Sequence, residues 1–182
     1  MDLIVRDLKL ADFDSIVKML SNTDNVIGLN RVDPVLGELS TISQKVTRSF
    51  GFERFVEIYK QILNENAMAA VAEKDGEVIA FSYIIGGKWP GSPYIGELRS
   101  PMIAKQYMDQ GIGGKIIEYL QNKSKGKFKI LSMVLSAADS VELSKLESTY
   151  AQKLGFTKWG LAPKFYKRND VYMPLIFMYC EI

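Results

Sequence analysis

Between an extended run and a helical one lies Gln110-Gly111-Ile112-Gly113-Gly114, and residue types in that order suit the holding of an anion. Glycine lets the backbone pass close to a ligand. The first amides of a helix have no partner within it and point outward along its dipole, so a phosphate is the ligand such a turn favours. A helix that starts through glycine is also an ordinary packing solution, and this segment alone leaves both readings open. Its spacing is not the Gly-x-Gly-x-x-Gly of a dinucleotide fold, and Lys115 is not followed by the Ser or Thr of a nucleoside-triphosphate loop.

What the chain lacks narrows the chemistry further. Its 182 residues include no histidine and one cysteine, Cys180. Ser-His-Asp and Cys-His nucleophiles, His-ligated zinc and imidazole bases are therefore impossible, as are an internal disulfide and a Cys-cluster metal site. Cys180 reads as a buried structural thiol. Chemistry must come from backbone amides, carboxylates, hydroxyls, lysines or water, with no metal. Lys and Arg total 23 against 21 Asp and Glu, a net charge of +2, which gives no general electrostatic case for nucleic acid or an anionic membrane. Any anion site must be local. No apolar run reaches the ~20 residues of a membrane span, and the N-terminus alternates charged with apolar residues, so a cytoplasmic protein is expected.

The elements that must position the turn follow from periodicity, and the length and 47% hydrophobic content fit one domain over residues 1–182. Leu3 to Arg6 reads as a strand, then Asp12 as an N-cap before the helical face of Phe13, Ile16, Val17 and Leu20. Ser21 to Gly51 reads as loops with a short helix at most. Phe52, Phe55, Val56, Tyr59, Ile62 and Leu63 mark a second helix. Lys74-Asp75-Gly76 is the turn of a hairpin between Met68–Glu73 and Glu77–Ile85. Gly86 to Pro93 is a loop and Tyr94 to Ile103 is extended, with Pro101 implying a bulge or a parting of neighbouring strands. Ile116, Ile117 and Leu120 give the helix after the glycine turn, and Ile130 to Ser136 a strand. Leu143, Leu146, Tyr150 and Leu154 share a helical face that stops at Gly155. Phe156 to Gly160 and Val171 to Cys180 are the last strands. The order argues for a mixed α/β sheet connected through its middle by helices.

At this point the sequence resembles a known family, the GNAT N-acetyltransferases. Their signature, (Q/R)-x-x-G-x-(G/A) preceded by a hydrophobic strand and a Tyr, falls on Tyr107-Met108-Asp109-Gln110-Gly111-Ile112-Gly113, and Lys153-Leu154-Gly155-Phe156 is similar to the family's helix-to-strand ending. Tyr172 to Cys180 resembles its last strand. The likeness spans nearly the whole chain except roughly Ser21 to Gly51.

The resemblance implies an α/β (α+β) fold with a mostly antiparallel central sheet of about six to seven strands, splayed at its centre and flanked by helices. It implies an acyl-CoA-dependent, chiefly acetyl-CoA-dependent, N-acyltransferase. The CoA thioester would be held by Met102, Ile103, Ala104, Met108, Asp109, Gln110, Gly111, Ile112, Gly113, Gly114, Lys115 and Ser144. A primary amine, on a small molecule or peptide, would attack the thioester directly in a ternary complex, with the carbonyl oxygen held by a backbone amide near the bulge. Glu97 is the candidate base, against a solvated edge-strand glutamate as the plain alternative, and Tyr150 the candidate acid, against a core tyrosine. Three positions depart from the pattern: Met108 replaces the usual Arg or Gln, Ser144 a frequent Asn, and Ala151 the Tyr that protonates the departing thiolate. Together they motivate an alternative, a catalytically impaired CoA-binding or protein-interaction module. Lys123, Lys125, Lys127 and Lys129 are read as a solvated run rather than a contact to the CoA 3′-phosphate. The acceptor would be framed by residues 26–50 and 162–170, with Asp33, Glu38 and Glu53 as charges that could attract a cationic amine. The fold also allows a homodimer.

Overall fold

The computed structural model describes residues 3–21, 26–27, 48–86, 91–135, 140–168 and 171–182. In chain order its elements are β1 (Ile4–Asp7), α1 (Phe13–Ser21), β2 (Val26–Ile27), α2 (Arg48–Leu63), β3 (Ala67–Lys74), β4 (Glu77–Gly86), β5 (Ile95–Leu98), β6 (Met102–Ala104), α3 (Ile112–Ser124), β7 (Ile130–Leu135), α4 (Ser140–Leu154), β8 (Thr157–Arg168) and β9 (Val171–Glu181). One sheet runs β1-β3-β4-β5-β7-β9-β8, with β6 beside β4 and β2 beside β6. Its described pairings are antiparallel except β5 with β7. This is the expected mixed sheet.

The sheet is buried on both faces because its central strands are made of small and branched residues. Ala70, Val71, Ala72, Ala80 and Ile84 are inaccessible to solvent, and small side chains let helices sit close above and below. On one face α3 and α4 place Ile116, Ile117, Leu120, Leu143 and Leu154 against Leu131, Met133 and Met178. On the other, Ile16 and Met19 of α1 and Phe55 and Ile58 of α2 cover Val71, Phe81 and Tyr83. The β3–β4 hairpin turns at Asp75 and Gly76, both left-handed at φ 55° and 79°, as an Asp-Gly turn requires. Arg6 on β1 ties this edge together, donating to Asp12 at 2.7 and 2.8 Å and to Glu73 of β3 at 2.8 Å. Asp12 also accepts from the Lys9 amide at 2.7 Å.

Two expectations need correction. β8 does not stop at Gly160 but continues through Pro163 to Arg168. As the outermost strand it tolerates a residue without an amide donor, and its register with β9 breaks between Ala162 and Tyr166, around that proline. Nor does Glu97 lie on an edge: β5 has β4 on one side and β7 on the other. Cys180 of β9 is buried as expected, 3.4 Å from the Gln121 amide nitrogen.

Candidate functional site at the splayed strands

β5 and β6 are two halves of one bent strand. β4 pairs Ile84 with Leu98 and Phe81 with Met102, so Ser82 and Tyr83 oppose three residues, Arg99, Ser100 and Pro101. The extra residue is a bulge, as Pro101 predicted. Ser82, wholly buried, donates its hydroxyl to the Arg99 carbonyl at 2.6 Å, and the Arg99 amide donates to the Tyr83 carbonyl at 2.9 Å. A buried serine of β4, whose backbone pairs with Ala70 of β3, thus turns its hydroxyl to fixing the bulge. On the far side, β5 stays paired with β7 only as far as Glu97 opposite Ser132. Beyond that vertex β7 continues along β9, whereas β6 pairs β2, and the two strands part.

Into this parting point the first residues of α3. The chain reaches it through a 3-10 turn at Lys105–Tyr107 and two left-handed residues, Asp109 at φ 58° and Gly111 at φ 73°. Gly111 is the N-cap and supplies no side chain to cap the helix, and the first helical amide to reach back to it is that of Lys115. The amides of Ile112, Gly113 and Gly114 are therefore the uncapped first-turn donors. Gln110 turns its side chain away, donating to the Gln106 carbonyl at 3.2 Å. A Cβ on Gly113 would meet Ile103 Cδ1 at 3.2 Å and the Pro101 ring at 3.7 Å, while one on Gly114 would meet nothing within 4 Å. The two glycines differ in purpose. Gly113 seats the helix against β6, and Gly114 leaves open space.

That space is a cavity of about 170 Å³. Pro101 and Ile103 wall it on one side, Gly113 and Gly114 at the helix start, Leu135 of β7 beneath, and Leu146 and Tyr150 of α4 opposite. Its wall is largely apolar and its rim carries donors, an arrangement suited to an anionic head on a flexible, weakly polar tail. Of the residues expected to hold CoA, Ile103, Gly113 and Gly114 line this cavity. Asp109, Gln110, Gly111 and Lys115 are exposed around the turn, Met102 and Met108 are half-buried, and Ala104 and Ile112 are packed into the core. Ser144 is exposed on α4 and does not line the cavity. Tyr150 is a core residue, 7% exposed and edge-on to Phe156 at 5.9 Å, yet it also lines the cavity. The lysine run begins in the last turn of α3 and continues beyond it, about 20 Å away by helix rise; there Lys123 pairs with Asp7, and Lys125 donates to Asn122 at 2.9 Å. Asp33 and Glu38 lie outside the described residues, as does the side chain of Glu53 on α2. Residues 162–168, expected as a connection, are strand.

Glu97 stands on the opposite face of the sheet from the cavity, at the vertex where β5 and β7 separate. Leu98 beside it is buried among the α3 and α4 residues. Glu97 itself pairs across to Ile85, on the face covered by α1 and α2. Its side chain is 18% exposed and its Oε1 is 3.1 Å from Nη2 of Arg99. Sequence reasoning passed over Arg99 and Ser82. The signal was present for the first: Glu97 and Arg99 are the two charges, two residues apart, in an otherwise apolar strand. Ser82 carried none, because a serine amid apolar residues is indistinguishable from a tolerated one until its partner is seen. Among the described residues no cluster of carboxylates or thiols could hold a metal. No described helix is long and apolar enough to cross a membrane.

No family model and no curated protein matches the sequence. Solved structures do. An acetyltransferase of GNAT family from Streptococcus pneumoniae superposes with a TM-score of 0.73 at 18% identity, covering 100% of both chains. A GNAT superfamily phosphinothricin acetyltransferase from Sinorhizobium meliloti, in complex with AcCoA, gives 0.72 at 19% identity over 100% of this chain and 89% of that one. A putative acetyltransferase from Salmonella typhimurium, with its cofactor acetyl-CoA, gives 0.73 at 15% identity over 98% and 93%. From its first strand to its last, and through the bulge, splay and glycine turn between them, the chain has the GNAT acetyltransferase fold.

Proposed function

We propose that this chain is an acetyl-CoA-dependent N-acyltransferase that acetylates a primary amine by direct transfer. One juxtaposition carries the reading: uncapped amides at the start of α3 beside an apolar cavity that opens where β6 and β7 part. The residues fit the group. The amides of Ile112, Gly113 and Gly114 would hold a pyrophosphate, and the cavity between α3 and α4 would take the arm that leads to the thioester. Solved structures of this fold carrying acetyl-CoA support the same assignment.

The rest follows from this chain's own residues. An amine approaching from the α1/α2 face meets Glu97 at the vertex, and Glu97 takes the ammonium proton, directly or through water, so that the nitrogen lone pair can attack the carbonyl carbon. A backbone amide of the bulge steadies the carbonyl oxygen. The C–N bond forms and the nitrogen gives up its second proton to water, the C–S bond breaks, and Tyr150 on the cavity wall protonates the departing thiolate and regains a proton from water. Ala151, at the position where the family pattern has tyrosine, is exposed on α4, and this favours a second reading, a CoA-binding module without turnover.

Acetyl-CoA is expected to raise the unfolding temperature, because it binds only the folded state, and an amine panel to release CoA thiol. No shift at millimolar acetyl-CoA would overturn the assignment. A shift without thiol release for any amine would favour the module.

A further inference from the structure

We propose that Ser100 is a catalytic residue that holds the thioester carbonyl oxygen twice, through its backbone amide and through its side-chain hydroxyl. The inference rests on the acetyl-transfer reading and names the residue that polarises the carbonyl within it.

Of the three residues in the bulge, only Ser100 has a backbone donor left for a ligand. The Arg99 amide donates to the Tyr83 carbonyl at 2.9 Å, and Pro101 has no N–H. Among the described residues neither the amide nor the hydroxyl of Ser100 has a hydrogen-bond partner. Its two neighbours fix where the amide points. The Arg99 carbonyl and the Ser100 N–H belong to one trans peptide unit and so lie antiparallel. Ser82 of β4 donates to that carbonyl at 2.6 Å, which turns the Ser100 N–H away from β4 and toward the side on which β7 has parted from the strand. Pro101 disfavours the helical conformation for the residue before it, so the backbone of Ser100 is held extended.

The side chain faces the same space. Leu98 is turned into the α3/α4 core, and Ser100, two residues on, stands half-buried on the cavity wall of that face. Pro101 joins it there because a bulge breaks the alternation of side chains. Thr149, the other aliphatic hydroxyl on the wall, is engaged with the Lys145 carbonyl at 2.8 Å. A hydroxyl set among apolar groups without an internal acceptor gains when a ligand supplies one.

As the amine nitrogen bonds to the carbonyl carbon, the carbonyl π electrons move onto oxygen. Both donors of Ser100 hold that charge without giving up a proton, and the electrons return as the C–S bond breaks. Glu97 lies on the other face of the same strand, so the oxygen and the amine are held from opposite sides of the gap.

The test binds acetyl-CoA, labelled with carbon-13 at the thioester carbonyl, to the protein and needs no acceptor. Hydrogen bonds draw electrons from the carbonyl carbon, so its NMR resonance is expected downfield of free acetyl-CoA in the native protein and nearer the free position in Ser100→Ala. Ser100→Thr keeps the hydroxyl and should keep the downfield position. With any amine that releases CoA thiol, Ser100→Ala should lower kcat at least about tenfold and leave both KM values within about twofold. It should also keep the thermal shift with acetyl-CoA, which shows that the variant folds. If no amine turns over, the resonance alone decides. A resonance unmoved by Ser100→Ala, a Ser100→Thr variant that loses as much as Ser100→Ala, or a loss confined to KM would each overturn the proposal. Absence of any thermal shift with acetyl-CoA in the native protein would instead overturn the underlying reading.

Discussion

The two ends of α3 are built from the same helix and do opposite things. At its C-terminus lies the roomier hollow, about 400 Å³ between β1, the end of α2 and Lys123 and Lys127. Two of its charged groups are engaged with each other: Lys123 pairs with Asp7, which also accepts from Tyr119 at 2.9 Å. The N-terminal cavity is less than half that volume. Yet there the backbone donors have no cap, and the walls are apolar. Volume alone does not mark a site. A helix end whose donors the protein declines to satisfy, next to a surface that water wets poorly, does.

The contrast can be broken most sharply at Gly113. Gly113→Val must push α3 away from Ile103 and Pro101, and is expected to weaken CoA binding at least about tenfold, about 1.4 kcal/mol. The fold should survive, because the nearest contact is the flexible end of Ile103. Met108→Ala should leave CoA binding within about twofold, since backbone amides make the cradle. Calorimetric CoA titration with circular dichroism on both variants checks this; equal losses would mean that the Met108 side chain contributes.

A smaller effect separates stability from binding at the same helix end. Gly114 has ordinary helical backbone and open space at its Cβ, so Gly114→Ala should stabilise the free protein by up to about 1 kcal/mol. The same methyl group projects into the proposed ligand space and should weaken CoA binding about fivefold, also about 1 kcal/mol. A rise in Tm with unchanged CoA affinity would show that the ligand does not lie against this turn.

The smallest effect is expected at the other end. Burial pushes the Asp7 carboxyl up, but hydrogen bonds from Lys123 and Tyr119 and the Lys123 charge outweigh it and hold it below the ordinary carboxylate value. A depressed carboxyl stabilises the fold fully above its unfolded pKa of about 3.9 and loses that contribution as pH falls through its lower folded value. Asp7 is about half exposed, so Asp7→Asn should cost only about 0.5 kcal/mol at pH 7. That difference should fade below about pH 4, as followed by urea unfolding, and CoA affinity should not change. A change in affinity would make the two ends of α3 a single coupled unit.

What the sequence disclosed, and what it withheld, divides along a physical line. Local rules found the Asp75-Gly76 hairpin, the bulge at Pro101 and the glycine turn, because each depends on a backbone conformation that few residues can adopt. They could not find that Glu97 is interior, since strand order is set by long-range pairing and β5 reaches β7 only across α3. They ended β8 too soon because Pro163 reads as a stop wherever a strand has two neighbours, and nothing local says that this one is outermost. The candidate site was half legible: the half proposed to hold phosphate is local backbone, while the place of Glu97 and Arg99 at the vertex between β5 and β7 depends on strand pairing that no local rule supplies.

Cys180, the only thiol in the chain, is 7% exposed, and burial pushes its pKa up, with Glu181 adding to the rise and Gln121 opposing it. Its sulfur is thereby kept protonated, sluggish as a nucleophile and out of reach of disulfide exchange. For a protein whose proposed product is itself a thiol, this has a redox consequence. Free CoA accumulating under oxidising conditions finds no surface sulfur with which to form a mixed disulfide, so the folded protein cannot be capped by its own product or cross-linked through sulfur to a second copy. Released CoA can be counted with a thiol reagent against a silent background for as long as the last strand stays in the sheet.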